Sequence, residues 1–122
     1  MTKIERFEDL QSWQKARVLA NNVYSITSKG SFEKDYALRD QIRRAVGSVM
    51  HNLAEGFDAG SNPEFIRFLR LACRSASEVQ SQLYLALDFK YIETNKLQKS
   101  YDLATETKKL INGLVSYLRQ QN

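Results

Sequence analysis

The fold is decided by one stretch in the first half of the chain, Gln41-Ile-Arg-Arg-Ala-Val-Gly-Ser-Val-Met-His-Asn-Leu-Ala-Glu-Gly-Phe57. When the sequence is projected at about 100° per residue from Leu38 onward, apolar and small residues fall on one face. Such a face is typical of a helix that packs against a hydrophobic core. Its members are Leu38, Ile42, Val46, Val49, Leu53 and Gly56.

A second, polar stripe runs along the same predicted helix. Serine and asparagine are weak helix formers, because their side chains compete for backbone hydrogen bonds, so a face that only meets water has little need for them. Two interpretations remain, a solvated surface or a hydrogen-bonded network at an interface. We favour a structural polar network, which one residue of the next helix would join. Its predicted members are Gln41, Arg44, Ser48, Asn52, Glu55 and Glu78.

The composition favours one all-α domain, residues 1–122. A chain of 122 residues with 43% hydrophobic residues can build one core and is too short for two domains of ordinary size. One proline and five glycines supply little of the turn chemistry that many short strands need. The net charge of +4 and the pI near 9.3 permit an acidic partner such as nucleic acid without requiring one.

Turn and cap signals divide the chain into four helices. Gly30 suits a left-handed residue after the first helix, and Ser31 could cap the second. Asn62-Pro63-Glu64 is a strong start signal for the third helix, and Thr94 could cap the fourth. Short connections make consecutive helices antiparallel, so we predict an up-down-up-down four-helix bundle. The predicted helices span about 9–28, 33–57, 63–89 and 95–119.

The first and last helices carry further apolar stripes. The predicted core face of the first helix consists of Trp13, Ala16, Ala20, Val23, Tyr24 and Thr27. The predicted core face of the last helix consists of Leu97, Tyr101, Ala104, Ile111, Leu114 and Leu118. The last helix also has a second stripe at seven-residue spacing, which a chain of this size would bury against another copy of itself. This predicted oligomer interface consists of Leu103, Leu110 and Tyr117.

Arginines repeat at i, i+3 and i+7 along the outer face of the third helix. Guanidiniums at this spacing could meet successive phosphates, because each presents a fork of N–H donors. The alternative is that Arg74 pairs with Glu78 and that the other arginines are solvated. Two arginines of the second helix complete the predicted nucleic-acid-binding set. This set consists of Arg39, Arg43, Arg67, Arg70 and Arg74.

The sequence contains no recognisable motif for catalysis, for a cofactor or for a metal. The single histidine, His51, cannot supply a histidine-based metal motif or the paired Glu-x-x-His of a di-iron bundle. No nucleophile motif surrounds His51, no glycine-rich phosphate loop is present, and Cys73 fits a small apolar position. We therefore expect a protein that is not an enzyme and has neither cofactor nor metal. The charged N-terminus and the lack of a long apolar run predict a soluble cytoplasmic protein without a membrane span.

Several motifs in the sequence occur together and in order. The central one is Gln41-x-x-Arg44-Ala45-x-x-Ser48-Val49-x-x-Asn52-Leu53-Ala54-Glu55-Gly56-Phe57, and the others are Phe7-x-Asp9-Leu10-x-x-Trp13, Phe65-x-x-Phe68-Leu69-x-x-Ala72 and Ser75-x-x-Glu78-x-x-x-Gln82-Leu83. In this combination the chain resembles the bacterial four-helix bundle family named after the 23S rRNA intervening-sequence protein, over residues 7 to about 90. Met50-His51 and Cys73-Arg74 depart from the pattern of that family.

The resemblance implies a homo-oligomer, commonly a pentamer, that is involved with RNA. Some relatives serve as accessory proteins to the reverse transcriptases of diversity-generating retroelements, so RNA, DNA and a reverse transcriptase are the implied partners. At +4 per copy, five copies carry about +20, and repetition raises avidity without any new contact. The sequence thus predicts a non-enzymatic, nucleic-acid-binding oligomer. The alternative is a protein-interaction scaffold with no role in nucleic-acid binding.

Overall fold

The computed structural model describes residues 3–121, which form a chain of helices joined by short turns. A 3₁₀ turn at Phe7–Asp9 precedes five α-helices, and residues 3–121 contain no strand. Within the same residues, no helix combines the length and the apolar character needed to cross a bilayer. The helices are α1 (Gln11–Thr27), α2 (Gly30–Lys34), α3 (Tyr36–Phe57), α4 (Asn62–Asp88) and α5 (Thr94–Gln120).

The four long helices form an antiparallel bundle. Helix α1 packs against α3 and α5, and α4 packs against the same two helices, so the order around the bundle is α1, α3, α4, α5. On the α1–α5 side, Lys15 pairs with Glu106 whereas Asn22 contacts Ser100, which shows that these two helices run in opposite directions. The predicted up-down-up-down four-helix bundle is confirmed.

The hydrophobic core fills the space between the long helices. Every member of the apolar stripe predicted on α3, from Leu38 to Gly56, is buried. The first half of this stripe packs in one cluster with Phe32 and Leu83, and the second half packs in another cluster with Leu69. Complete burial of a large aliphatic or aromatic side chain stabilises a fold by roughly 1.5–3 kcal/mol. This stripe therefore positions α3 against both α1 and α4.

The predicted core face of α1 was partly wrong. Leu19 and Ile26, which lie outside the predicted face, are buried, whereas the predicted Tyr24 is 48% exposed. Ala20 is partly buried and packs against the core, as expected. The buried residues of α1 follow Ala16 at intervals of three or four residues, so they lie on one side of the helix. This side packs against α3 and α5. Tyr24 lies at the edge of this face, where its ring is accessible from solvent.

The predicted second helix is divided in two. It was expected to run unbroken over 33–57, but α2 ends at Lys34 and α3 begins at Tyr36. Asp35 separates them and caps α3, because its Oδ1 accepts a hydrogen bond of 3.1 Å from the backbone N–H of Leu38. Ser31 is not a cap, since it lies inside α2. Gly30 does adopt the left-handed conformation expected of it, with φ of 58°.

The other helix ends also differ from the predicted bounds by a few residues. Helix α1 begins at Gln11 rather than at Asp9, whose Oδ2 accepts backbone hydrogen bonds from Glu5 and Arg6 at 3.0 and 3.1 Å. These bonds hold the pKa of the Asp9 carboxyl below its usual value. Thr94 is the first residue of α5 and makes no capping hydrogen bond with its side chain.

Candidate nucleic-acid interface

Arg67, the first arginine of the predicted α4 row, is paired with an acid. Its Nε and Nη2 donate to the Glu64 carboxylate at 3.0 and 3.2 Å, and its guanidinium lies 4.5 Å from the centre of the Phe68 ring. This contact holds the pKa of the Glu64 carboxyl below its usual value and raises that of Arg67. The charge of Arg67 is therefore largely offset by its neighbour one helical turn away.

Arg70 and Arg74, the other two arginines of the row, are exposed. Neither forms an ion pair with a carboxylate of residues 3–121, and the alternative pairing of Arg74 with Glu78 does not occur. Both arginines line a shallow cleft of about 310 Å³ between α4 and α5, together with Cys73 and Asn112. Their N–H donors are thus available to an anion that approaches this side of the bundle.

A lysine of α5, absent from the predicted set, adds to this surface. Lys108 donates to Ser77 Oγ at 3.0 Å and to Gln80 Oε1 at 2.8 Å, which holds its ammonium beside α4. Burial raises the pKa of the nearby Cys73 thiol, while the charges of Lys108 and Arg70 oppose that rise. We call Arg70, Arg74 and Lys108 the α4–α5 basic face. Lys108 gave no sequence signal, because it shares no helical row with the arginines.

Arg39 and Arg43 bind groups of their own chain. Arg39 is only 22% exposed, and it donates to Asp40 at 2.9 Å and to the Glu33 carbonyl at 3.1 Å. Arg43 donates to Thr27 Oγ1 at 2.9 Å and to Ser28 Oγ at 3.0 Å. Arg39 therefore connects the start of α3 to α2, and Arg43 connects it to the end of α1.

The predicted polar network is smaller than expected and includes one further member. Asn52 Nδ2 donates to the Ser48 carbonyl and hydroxyl oxygens at 2.9 and 3.0 Å, and Ser75 Oγ of α4 donates to Ser48 Oγ at 2.9 Å. Ser48, Asn52 and Ser75 therefore join α3 to α4. Within residues 3–121, the remaining predicted members make no hydrogen bond to these three and are exposed. These members are Gln41, Arg44, Glu55 and Glu78.

The second apolar stripe of α5 is covered unevenly. Leu103 is half-buried and packs against the core, whereas Tyr117 is 57% exposed. Leu110 is half-buried and lines an open groove of about 660 Å³ between α1 and α5, which also contains the exposed Val18 and the Lys15–Glu106 ion pair. Part of the stripe is thus accessible to a partner, and its role as an oligomer interface stays a prediction.

Within the described residues, no group of three or more His, Cys, Asp or Glu side chains is arranged to hold a metal ion. Glu55 and Glu78, the two carboxylates of the predicted polar network, are both exposed. The chemistry that this surface offers is the binding of anions by guanidinium and ammonium groups.

An antiparallel four-helix bundle with a hydrogen-bonded seam between α3 and α4 and a basic outer face defines a class of small helical-bundle proteins. Within that class, the chain belongs to the 23S rRNA-intervening sequence protein family, whose sequence model matches residues 8–113. The crystal structure of a protein of unknown function from the S23 ribosomal protein family of Bacteroides thetaiotaomicron is similar, with a TM-score of 0.79. The two chains are 24% identical, and the match covers 86% of this chain and 95% of that chain, which supports the shared fold alone. No curated protein matches the chain.

Proposed function

We propose that this protein is a non-enzymatic homo-oligomer, most simply a pentamer, that binds RNA or DNA through the α4–α5 basic face. The observation that carries the proposal is the exposure of Arg70 and Arg74 without an acidic partner among residues 3–121. An unpaired guanidinium can exchange its water for phosphate oxygens without first breaking an ion pair. The name of the family is consistent with an RNA partner.

Assembly would convert a small charge into an effective one. A single copy offers three cations on the α4–α5 basic face, and a weak contact of this size releases few counterions. Repetition of the face in a ring lets one strand meet several copies, so binding events after the first are intramolecular. A reverse transcriptase or another enzyme that acts on nucleic acid could then use the oligomer as an accessory.

A second candidate function is a protein-interaction scaffold without nucleic acid. The observation that favours it is the apolar groove between α1 and α5, where Val18 and Leu110 lie open to a partner. A groove of this kind suits the apolar face of a helix from another protein. Such an interaction would depend little on salt, whereas phosphate binding depends on it steeply.

The test is a double charge reversal, Arg70→Glu with Arg74→Glu. We omit Arg67 because its partner Glu64 already offsets its charge. The matched control is Lys34→Glu with Lys99→Glu, which changes the net charge equally at exposed positions of α2 and α5. Binding to a fluorescent RNA is measured by anisotropy at several salt concentrations, and light scattering checks that each variant keeps the oligomeric state of the wild type.

We expect the Arg70/Arg74 variant to lose most of its RNA affinity and the control to lose much less. For a single-stranded RNA, the plot of log affinity against log salt should become less steep, its slope decreasing in magnitude by roughly 0.7 for each phosphate contact that is removed. Equal losses in the two variants would reduce the effect to net charge and would contradict the assignment to this face. Absence of salt-dependent binding by the wild type would overturn the nucleic-acid function and favour the scaffold.

A further inference from the structure

A polar cleft lies on the opposite side of the bundle from the α4–α5 basic face. It is formed between the second half of α1 and the middle of α3, and its volume is about 500 Å³. This size is within the range of small-ligand sites, and the cleft is open along the surface. The residues that line it are Tyr24, Asp40, Arg43, Arg44, Gly47 and His51.

The guanidinium of Arg43 is held in a fixed position in this cleft. Its Nε and Nη2 donate to the hydroxyls of Thr27 and Ser28, and it lies 4.5 Å from the centre of the Tyr24 ring. Thr27 is itself buried and donates to the Val23 carbonyl at 2.8 Å, so its hydroxyl is oriented to accept from Arg43. These bonds leave the Nη1 donors of Arg43 for another acceptor. A guanidinium fixed in this way loses little conformational entropy when it binds an anion.

The cleft has an excess of positive charge. Asp40 is its only carboxylate, and the 2.9 Å contact with Arg39 offsets that charge. Arg44 is exposed and forms no ion pair with a carboxylate of residues 3–121. Gly47 contributes no side chain, and a Cβ built there would lie 3.7 Å from Nε2 of His51, so the imidazole lies beside this part of α3.

An aromatic ring lies in the same cleft as these cations. Tyr24 is 48% exposed, whereas its neighbours Val23 and Ile26 on α1 are buried. An exposed ring beside fixed cations is the combination by which proteins hold unpaired nucleotides, with the base on the ring and the phosphate on the guanidiniums. An inorganic anion would use the arginines but would have no use for the ring.

We propose that this cleft binds one nucleotide of a single-stranded nucleic acid. Arg43 and Arg44 hold its phosphate, His51 borders the phosphate, and the base stacks on the exposed part of Tyr24. A duplex does not fit this mode, because its bases are already paired and stacked. The inference rests on the proposed nucleic-acid function and extends it, since it adds a preference for single strands that the α4–α5 basic face alone does not provide.

The first experiment compares two substitutions in the cleft with matched controls outside it. Tyr24→Leu removes the aromatic face and keeps an apolar side chain, and its control is Tyr36→Leu, at a 65% exposed tyrosine that also lies beside an arginine, Arg39. Arg44→Gln removes a charge, and its control is Arg119→Gln at an exposed position of α5. Each protein is titrated into one labelled RNA as a single strand and as a duplex, and circular dichroism checks its folding.

We expect Tyr24→Leu to weaken single-strand binding about fivefold or more, as the loss of one stacked base does. Arg44→Gln should lower the salt slope for the single strand by about 0.7. Both changes should leave duplex binding as in the wild type, and both controls should behave as the wild type. Unchanged single-strand binding in the two cleft variants would overturn the inference. It would leave the proposed function intact, because the Arg70/Arg74 variant tests that separately.

A second experiment tests the cleft without relying on RNA binding. Amide NMR spectra of the wild type are recorded with millimolar 5′-AMP, adenosine or inorganic phosphate. We expect 5′-AMP to shift the amides of Tyr24, Arg44, Gly47 and His51 more than either of the other two compounds. No shift at these amides would overturn the site, whatever the RNA titrations give. Equal shifts with inorganic phosphate would overturn the stacking of a base on Tyr24.

Discussion

At the scale of single residues, Gly56 sets how closely α3 and α4 approach. A Cβ at this position would lie 2.8 Å from the Cβ of Phe68 and 2.9 Å from Cδ1 of Phe65. The Phe68 Cβ is bonded to the backbone and cannot rotate away. Any larger residue at position 56 therefore has to push the two helices apart.

Because the clash is with an atom that cannot rotate away, overpacking in Gly56→Ala should cost near the upper end of the usual range of roughly 1–3 kcal/mol. The gain of about 1 kcal/mol that alanine has over glycine in a helix should leave a net fall of roughly 1–2 kcal/mol in the free energy of unfolding. The matched control is Gly113→Ala, because nothing lies within 4 Å of a Cβ built at Gly113 of α5. That change should stabilise the protein by about 0.5–1 kcal/mol. Urea denaturation measures the free energy of unfolding of each variant. A Gly56→Ala protein as stable as the wild type would disprove the close contact.

Tyr91 makes the stability of the protein depend on pH in the alkaline range. Its hydroxyl donates to Asp35 Oδ2 at 2.9 Å, and this bond raises the pKa of Tyr91. The folded state therefore holds the phenolic proton more tightly than the unfolded state. The stabilisation by this bond is fully present below the usual tyrosine pKa near 10, and it is lost as the pH rises through the pKa of Tyr91 in the folded state.

Tyr91→Phe should remove this part of the pH dependence. The difference in unfolding free energy between the wild type and the variant should be constant below about pH 9 and should shrink at higher pH. Denaturation at a series of pH values measures it. A difference that stays constant up to about pH 11 would contradict the role of the Asp35 bond.

The arginines show what residue patterns can and cannot predict. Their spacing on α4 correctly placed Arg70 and Arg74 on an exposed surface, because helical periodicity determines which side of a helix a residue occupies. It did not predict that Arg67 pairs with Glu64 or that Arg43 reaches Thr27 on α1. A long flexible side chain chooses among several neighbours, and those on other helices are unknown until the helices are packed.

At the scale of elements, Asp35 separates α2 from α3. Besides capping α3 through Leu38, it anchors the turn after α4 through Tyr91. The residue pattern did not predict this break, since neither proline nor glycine lies between Lys34 and Tyr36. By contrast, the Asn62-Pro63 start of α4 was predicted well, because proline restricts the backbone locally.

Asp35→Ala should cost about 0.5–2 kcal/mol from the lost cap, and the loss of the acceptor for Tyr91 should add to that. Asp35→Asn should cost clearly less, because asparagine caps a helix about as well as aspartate. The two thermal unfolding midpoints test this. Equal destabilisation in both variants would show that charge, rather than capping, is what Asp35 contributes.

At the scale of the whole molecule, self-association should depend on the α1–α5 groove. Leu110→Glu places a charge beside Val18 in that groove, where a second copy would have to bury it. The matched control is Leu85→Glu, which changes a 45% exposed leucine of α4 outside the predicted interface. Light scattering should give a smaller mass for Leu110→Glu and the mass of the wild type for the control. A wild type that is monomeric at micromolar concentration would disprove the assembly.

The cyclic order of the helices also has a kinetic consequence. Three of the four helix interfaces join long helices that follow each other in the chain, and only the α1–α5 interface joins distant parts of it. Mostly local contacts give a low contact order, so the chain should fold within microseconds to milliseconds. The α1–α5 interface within the bundle should therefore form after the transition state for folding. Asn22→Ala, which removes the contact with Ser100, should therefore speed unfolding and leave the refolding rate nearly unchanged in stopped-flow experiments.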